Sequence, residues 1–239
     1  MRSRDITGRM VSLFDSIVPP ILRDQWWFMR LFFKIVCGKS ADSYMNFKQI
    51  YHSCSEDDIK KMYEESRAIH SGRDTDLNQG CITEILNSAV GSSALDVACG
   101  KGLLSKLLAE KGLEVTACDF LNVLSSSFTH NKITFVQSDI CSLNFEDKRF
   151  DTVVSAHTLE HIENIFAAIS ELRRVARKRL IIVVPKQRAC KYTFDFHIHF
   201  FPYEITLLSV LDARNRNYTL KLLGGDWLYI EDIISGGKP

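Results

Sequence analysis

The pattern of apolar and polar residues changes near residue 92. From there, short apolar runs alternate with amphipathic stretches of helical period, which predicts strands and helices in turn. The predicted strands span 93–98, 114–119, 133–137, 150–156, 180–184, 217–223 and 227–233, and the predicted helices span 76–88, 103–111, 165–177 and 203–213. Gly224 and Gly225 separate the last two strands and favour a hairpin there. The repetition indicates an α/β domain that ends in a hairpin.

The first fifty residues have a different pattern. On a helical wheel, the run over 22–36 places Arg23, Arg30 and Lys34 on one narrow face, and apolar side chains cover most of the rest. We expect this apolar surface to be covered. The helix could pack on the domain or on a dimer partner, form a lid over an apolar acceptor site, or lie on a lipid surface. We predict an amphipathic extension over 1–54 and a domain over 55–239 that includes a leading helix at about 56–68.

Composition limits the class of protein. Of the 239 residues, 46% are hydrophobic and 25% charged, as in soluble globular proteins, and the net charge of +1 argues against a duplex-coating nucleic-acid protein. The seven cysteines include no C-x-x-C pair, which argues against a disulfide framework or a zinc ribbon. No apolar run resembles a signal peptide or a spanning helix. We expect a cytoplasmic protein, with peripheral contact at the inner membrane face left open.

The turn after the first predicted strand carries the most chemical information. In the run from Leu95 to Leu104, LDVACGKGLL, a strand ends, glycines allow a sharp turn and a helix begins. Main-chain N–H groups and the positive end of the helix then face a cleft at the carboxyl edge of the sheet. Asp96 suits a ligand with an ammonium group, and Asp119 can accept hydrogen bonds from ribose hydroxyls. A dinucleotide fingerprint would have its third glycine where Ser105 stands.

These residues resemble the motifs of a known family. LDVACGKG at 95–102 and TACD at 116–119 resemble the first two motifs of class I S-adenosylmethionine-dependent methyltransferases. FVQSDI at 135–140 and the run from 150 to 162, which contains LEH, resemble the third motif and the fourth-strand motif of the small-molecule, type 11 branch. The resemblance covers about 92–232. It implies a Rossmann-like α/β fold with helices on both faces of a seven-stranded sheet, mostly parallel with the last strand antiparallel, and S-adenosylmethionine as the cofactor.

The resemblance also implies a set of cofactor contacts. The candidates are Asp96, Ala98, Cys99, Gly100, Gly102, Asp119, Phe120, Asp139, Ile140 and Ala156. Segments before the first motif commonly cap the cleft in such enzymes, so Arg73, with Tyr63 and His70, joins them as a contact to cofactor or acceptor. The family usually has glycine where Ala98 stands, and we expect the extra methyl group to tighten the site.

Histidines are the candidates for acid–base chemistry. The cofactor brings its own electrophile, so the protein mainly has to align an acceptor, although a hydroxyl acceptor also benefits from a base. We predict His157 or His199 as the general base, with His161 as a third candidate that could instead pack or cap. Together with His197 and Asp195 these side chains could hold a divalent ion, but nothing requires them to converge and we predict no metal.

The expected function is therefore methyl transfer from S-adenosylmethionine to a small-molecule, lipid-linked or glycan-linked acceptor, at oxygen rather than nitrogen or carbon. Two alternatives stay open: an NAD(P)-dependent oxidoreductase, and a cofactor-binding module that has lost catalysis, for which Ala98 is the only hint. We do not expect a nucleic-acid substrate, because no NPPY-type base-flipping motif is present and the one basic run, over 173–179, is short.

Overall fold

The computed structural model describes residues 17–38, 41–55, 57–59, 61–62, 74–121, 130–192 and 195–233. The chain forms two compact units, one of residues 1–73 with 188–200 and the other of 74–187 with 201–239. Of the helix predicted over 56–68, the described residues 57–59 and 61–62 are helical. The predicted division of the chain at residue 54 stays a prediction.

The first unit is built from helices around an aromatic core. Its helices are α1 (Pro20–Arg23), α2 (Trp26–Cys37) and α3 (Ala41–Ile50), followed by a 3-10 turn at Tyr51–Ser53. The buried side chains are Met29, Phe33, Ala41, Tyr44, Met45, Phe47, Tyr51, Tyr192 and Phe196. The Tyr44 and Phe196 rings stack with their centroids 4.3 Å apart, so the segment 188–200 completes this core.

The second unit alternates strands and helices. Its elements in chain order are α4 (Gln79–Ser88), β1 (Ser93–Val97), α5 (Leu103–Glu110), β2 (Glu114–Asp119), β3 (Ile133–Gln137), β4 (Phe150–Ala156), α6 (Ile165–Val175), β5 (Ala176–Pro185), α7 (Glu204–Val210), β6 (Asn217–Leu223) and β7 (Asp226–Asp232). A 3-10 turn at Leu159–His161 follows β4. The predicted alternation of strands and helices is confirmed.

The strands form one mixed sheet. Within the described residues it has seven strands in the order β3-β2-β1-β4-β5-β7-β6. β7 runs antiparallel to both of its neighbours, and the other strands run parallel to one another. The predicted Rossmann-like sheet with an antiparallel last strand is confirmed. The chain crosses from β3 back past β1 to β4, so the carboxyl ends of β1 and β4 adjoin at the reversal point, where open α/β sheets bind their ligands.

Apolar side chains on both faces hold the sheet between helices. Ala94 and Val154 pack on one face with side chains of α4 and α5, whereas Leu95 and Val153 pack on the other with α6 and α7. Successive residues of a strand point to opposite faces, so a strand buried on both sides reads as a continuous apolar run. That rule explains why the sequence locates these strands well.

Several helix boundaries differ from the prediction, and α7, for example, ends at Val210 instead of 213. α4 begins at Gln79 instead of 76, because the Asn78 side chain accepts a hydrogen bond from the Cys81 N–H at 2.9 Å and caps the helix there. α6 ends at Val175 instead of 177, because the chain enters β5 directly. Arg177 and Lys178, predicted to lie in or beside the helix end, instead bind the buried Asp151 carboxylate at 2.7 and 2.9 Å.

In the part of the chain that the structure describes, no helix is long and apolar enough to cross a membrane. The predicted cytoplasmic location stays a prediction.

Candidate active site

The turn between β1 and α5 exposes its main chain to open space. Ala98, Gly100 and Gly102 have positive φ values of 59°, 52° and 78°, a left-handed conformation that favours glycine. A Cβ built on Gly100 would meet no atom within 4 Å. The Cys99 N–H donates to the Cys118 carbonyl at 3.0 Å and ties the turn to β2. A ligand can therefore approach the peptide at Gly100 without a side chain in the way.

Asp96 is a buried carboxylate beside this turn. Its side chain is only 2% exposed, and the Ser105 hydroxyl donates to Oδ2 at 2.5 Å. Burial raises the pKa of Asp96 to about 6, the nearby Asp119 charge adds to the rise, and the bond from Ser105 opposes it. A cationic group brought close to Asp96 would compensate the cost of keeping it ionised. The residue thus suits the ammonium group of an amino-acid ligand.

Asp119 lies at the end of β2 and braces the same turn. Its carboxylate accepts hydrogen bonds from the Gly100 N–H at 2.9 Å and from the Leu121 N–H at 3.0 Å. β1 and β2 pair in parallel register, with Asp96 opposite Ala117, so both carboxylates belong to the same edge of the sheet. A carboxylate has more acceptor sites than these two bonds use, so Asp119 can still accept bonds from a sugar diol.

The other predicted cofactor contacts follow the neighbouring strands. Asp139 lies two residues after the end of β3, is exposed, and its Oδ1 accepts a hydrogen bond from the Cys141 N–H at 2.9 Å. Ile140 is 6% exposed and belongs to the core of the second unit. Phe120 follows β2 and Ala156 ends β4, and both are half-buried. Arg73 lies outside the described residues, as do Tyr63 and His70.

Two small residues of the turn, Ala98 and Cys99, differ in what they do: one affects the backbone conformation and the other carries a thiol. Ala98 holds a φ of 59°, so the glycine expected of the family is replaced by a residue that is strained in this conformation. Burial raises the pKa of the Cys99 thiol far above its ordinary range, and the neighbouring Asp96 and Asp119 charges raise it further. Cys99 therefore stays a neutral thiol and is no nucleophile.

His157 sits between two buried carboxylates at the end of β4. Its Nδ1 lies 3.3 Å from Glu160 Oε1 and its Nε2 lies 3.4 Å from Asp226 Oδ2, and both acidic side chains are fully buried. Asn78 Nδ2 donates to the same Asp226 oxygen at 2.8 Å. Both nitrogens of an imidazole can donate only when the ring is protonated. The arrangement suits an imidazolium, which would have to release a proton before it could act as a base.

The remaining histidines divide between the two units. His161 ends the 3-10 turn Leu159–His161, and His157 precedes that turn, so the two do not lie on one α-helix. His199 belongs to the first unit and is half-buried. The described residues 195–200 include no strand, and Phe196 has a φ of 54°, so His197 and His199 do not lie on a strand.

Sequence reasoning did not identify three of the residues around these groups. Ser105 was considered only as a missing glycine, yet it is the hydrogen-bond donor to Asp96. Glu160 and Asp226 were not selected, yet they flank His157. Glu160 could have been found from its spacing to His157, whereas Asp226 is distant in sequence and only the position of β7 brings it there.

Comparison with known proteins agrees with this geometry. Residues 95–184 match a family model described as a methyltransferase domain. The demethylmenaquinone methyltransferase of Beutenbergia cavernae is 29% identical over 130 residues, which is 53% of this chain and 54% of the relative. The ubiquinone biosynthesis O-methyltransferase of Rickettsia felis is 37% identical over 90 residues, or 35% and 36% of the two chains. The matched part of the chain thus spans about half of the length of these curated relatives, or less.

A solved structure shows the same fold. The crystal structure of a SAM-dependent methyltransferase from Aquifex aeolicus superposes with a TM-score of 0.51 at 20% identity and covers 64% of this chain and 88% of its own. Residues 95–184 therefore match a methyltransferase domain, as the motifs predict, and the likeness to the solved structure shows the fold. S-adenosylmethionine also fits the residues present, because the open peptide at Gly100 lies beside a carboxylate for an amine and one for a ribose.

Proposed function

We propose that this protein transfers a methyl group from S-adenosylmethionine to a hydroxyl oxygen of a small aromatic acceptor of the quinone-precursor class. The observation that carries the transferase part is the cradle formed by Asp96, Gly100 and Asp119. It combines open space in front of a left-handed glycine with two carboxylates that suit the amino-acid and ribose parts of the cofactor. The names of two relatives, which act in menaquinone and ubiquinone synthesis, support the acceptor class.

The chain's own residues perform binding and orientation. When bound, S-adenosylmethionine supplies the methyl group on a sulfonium, which is already a good electrophile. Asp96 would hold the amine, Asp119 the ribose hydroxyls, and Gly100 would let the cofactor lie against the main chain. Proximity and alignment of an acceptor can contribute roughly 7–11 kcal/mol of a barrier, so no covalent intermediate with the protein is required.

A hydroxyl acceptor must lose its proton during transfer, and His157 is our candidate to receive it. Its ring nitrogens lie 3.3 Å from Glu160 and 3.4 Å from Asp226 at the carboxyl end of β4, so one of these contacts has to open for the ring to take the proton. The ring can accept this proton only in its neutral form. His199 and His161 stay candidates for the same role.

The basic run at the end of α6 supports a small acceptor. Arg173 binds Glu231 at 2.8 Å, Arg177 binds Asp151 at 2.7 Å, and Arg179 binds Asp232 at 2.6 Å. These cations are matched within the second unit and do not form an unbalanced patch that would attract phosphates. The third position of a dinucleotide fingerprint holds Ser105, which is bound to Asp96, so no observation favours the oxidoreductase alternative.

The test is a methyl-transfer assay with isotope-labelled S-adenosylmethionine and three acceptors: a catechol, a demethylated quinol and a simple phenol. We expect label in the organic phase and release of S-adenosylhomocysteine with at least one of them. Asp119→Ala should abolish both, whereas Glu110→Ala, at the exposed far end of α5, should retain both. Methylation of ring carbon, seen by the position of the label, would overturn the assignment to oxygen. No release with any acceptor would overturn the proposed reaction.

A further inference from the structure

Helix α2 in the first unit is apolar on both of its sides. Phe28, Met29 and Phe33 face inward, where Met29 is 2% exposed and Phe33 is fully buried. Trp27, Leu31 and Ile35 face outward and are 66%, 61% and 74% exposed. A helix that is hydrophobic all round is normally buried on every side. The line of exposed apolar side chains on the outward side of α2 is therefore unusual for a helix surface in contact with water.

The outward side chains form one continuous line. Trp27, Leu31 and Ile35 are spaced four residues apart and so lie on one face over about 12 Å of helix. In α1, which precedes this helix, Ile21 is also 73% exposed. We call these four residues the outer stripe. Contiguous exposed apolar surface of this kind marks an interaction site, whereas single exposed apolar residues do not.

The charges beside the outer stripe are positive in net: Arg30 is paired with Asp42, with 3.3 Å between Nε and Oδ1, so the net charge of this flank comes from Lys34. Lys34 is exposed and Arg30 is half-buried, and on a helical wheel both fall on one flank of the line through Trp27 and Leu31. Arg30 also lies over the Trp26 ring, with 4.7 Å between the guanidinium carbon and the ring centroid. Over residues 1–50 eight basic side chains stand against four acidic ones, all of them aspartates. This flank is suited to an anionic surface.

We propose that the outer stripe binds an anionic lipid surface, with α2 lying in the plane of the membrane interface. Tryptophan prefers the boundary between headgroups and acyl chains, and the chain has two at the start of the helix. Basic side chains on the flank would reach the headgroups while Trp27, Leu31 and Ile35 enter the acyl region. A second copy of the chain fits less well, because the symmetric contact would place the basic flanks close together.

The proposal is independent of the proposed function, although it would bring the enzyme to acceptors dissolved in lipid. Vesicle binding is measured without cofactor or acceptor, so a failure here leaves the transferase proposal standing, and the reverse also holds. The probe is a sedimentation assay of the full chain with vesicles of phosphatidylcholine alone and of equal parts phosphatidylcholine and phosphatidylglycerol.

We expect the wild type to bind the anionic vesicles and to lose more than about tenfold in affinity when Trp27, Leu31 and Ile35 are all replaced by serine. Lys34→Gln, which leaves the apolar line intact, should lose about fivefold on anionic vesicles, the contribution of one basic residue near such a surface. A control with Phe166→Ser and Ile205→Ser removes two apolar side chains of equal exposure (67% each) from the second unit. That control should bind like the wild type.

Circular dichroism and thermal melting show that each variant is folded. Equal vesicle binding by the wild type and the triple serine variant would overturn the proposal, as would no binding by the wild type. A dimer seen by light scattering that the triple variant abolishes, without vesicle binding, would also overturn it and assign the outer stripe to a second copy of the chain.

Discussion

At the scale of single residues, the ionisation of the Asp96 carboxyl group decides how well the site binds an ammonium group. The pKa of this carboxyl group is raised to about 6 by burial, so below pH 6 the apo protein holds it protonated. An ammonium group binds well only to the ionised form. We predict that affinity for S-adenosylhomocysteine rises about tenfold from pH 5 to pH 7, since the ionised fraction rises by that factor. Calorimetry at several pH values measures this dependence.

Asp96→Asn is the matched control for that pH dependence. The amide cannot ionise and can still accept the Ser105 hydrogen bond, so its affinity should be weaker and flat across the same range. A tenfold rise that persists in Asp96→Asn would show that another group causes it.

The same raised pKa makes a second prediction, about stability. A carboxyl group whose pKa is higher in the folded state than in the unfolded state stabilises the protein at low pH, and this contribution is lost as the pH rises through about 6. Between pH 4 and pH 7 the free energy of unfolding of the apo wild type should fall relative to Asp96→Asn by about 2 kcal/mol. Urea denaturation at the two pH values measures it. An unchanged difference would mean that Asp96 is not the protonated group.

At the scale of elements, Gly91 shows how the start of β1 is fixed to β4. Gly91 has a φ of 79°, and an added Cβ would lie 2.2 Å from the Cγ of Asp151. The Asp151 carboxylate accepts from the Ser92 N–H at 2.9 Å and also binds Arg177. Burial acts to raise the pKa of Asp151, but its hydrogen bonds outweigh burial and hold the pKa well below the usual range.

Gly91→Ala should therefore destabilise the second unit by more than backbone strain alone would, because the added Cβ also collides with Asp151. The matched variant is Gly112→Ala, because Gly112 also has a positive φ (109°) but its added Cβ would meet no atom within 4 Å. We expect about 1–2 kcal/mol for the strain at Gly112 and roughly 2 kcal/mol more at Gly91, where the collision is added. Thermal or urea unfolding compares the two. Equal losses would contradict the close packing of Gly91 on Asp151.

Elements also show what the sequence could and could not predict. The strands were predictable because burial on both faces leaves continuous apolar runs, and Asp96, Gly100 and Asp119 were predictable because their spacing follows from a strand, a turn and a helix. The start of α4 was not, because the capping Asn78 also donates to the Leu223 carbonyl at 2.9 Å, a contact across 145 residues. Such long-range partners leave no local pattern.

The same limit applies to the site. Ser105 was accessible as part of the first motif, but its bond to Asp96 depends on how α5 packs against β1. Asp226 reaches His157 only because β7 inserts between β5 and β6. The start of β5 was mistaken for a helix end because Arg177 and Lys178 resemble the cations of a helix terminus, whereas their partner is the distant Asp151.

At the scale of the whole molecule, the chain combines a methyltransferase domain with a helical unit that carries the outer stripe. In the domain, one edge of the sheet brings together the side chains that follow β1, β2, β3 and β4. The helical unit also includes residues 188–200, which lie between β5 and α7 in the sequence and contribute to the core of the helical unit. The transferase and lipid-binding proposals can therefore be tested on the same full-length protein by separate measurements.

The central claim is that the turn from Ala98 to Gly102, with Asp96 and Asp119, binds the adenosyl cofactor. The most direct test is calorimetry of the full chain with S-adenosylhomocysteine and, separately, with NAD at pH 7. The account predicts saturable binding of S-adenosylhomocysteine at one site per chain, none of NAD, and loss of the signal in Asp119→Ala but not in Glu110→Ala. No heat with S-adenosylhomocysteine, or binding that survives Asp119→Ala unchanged, would contradict it.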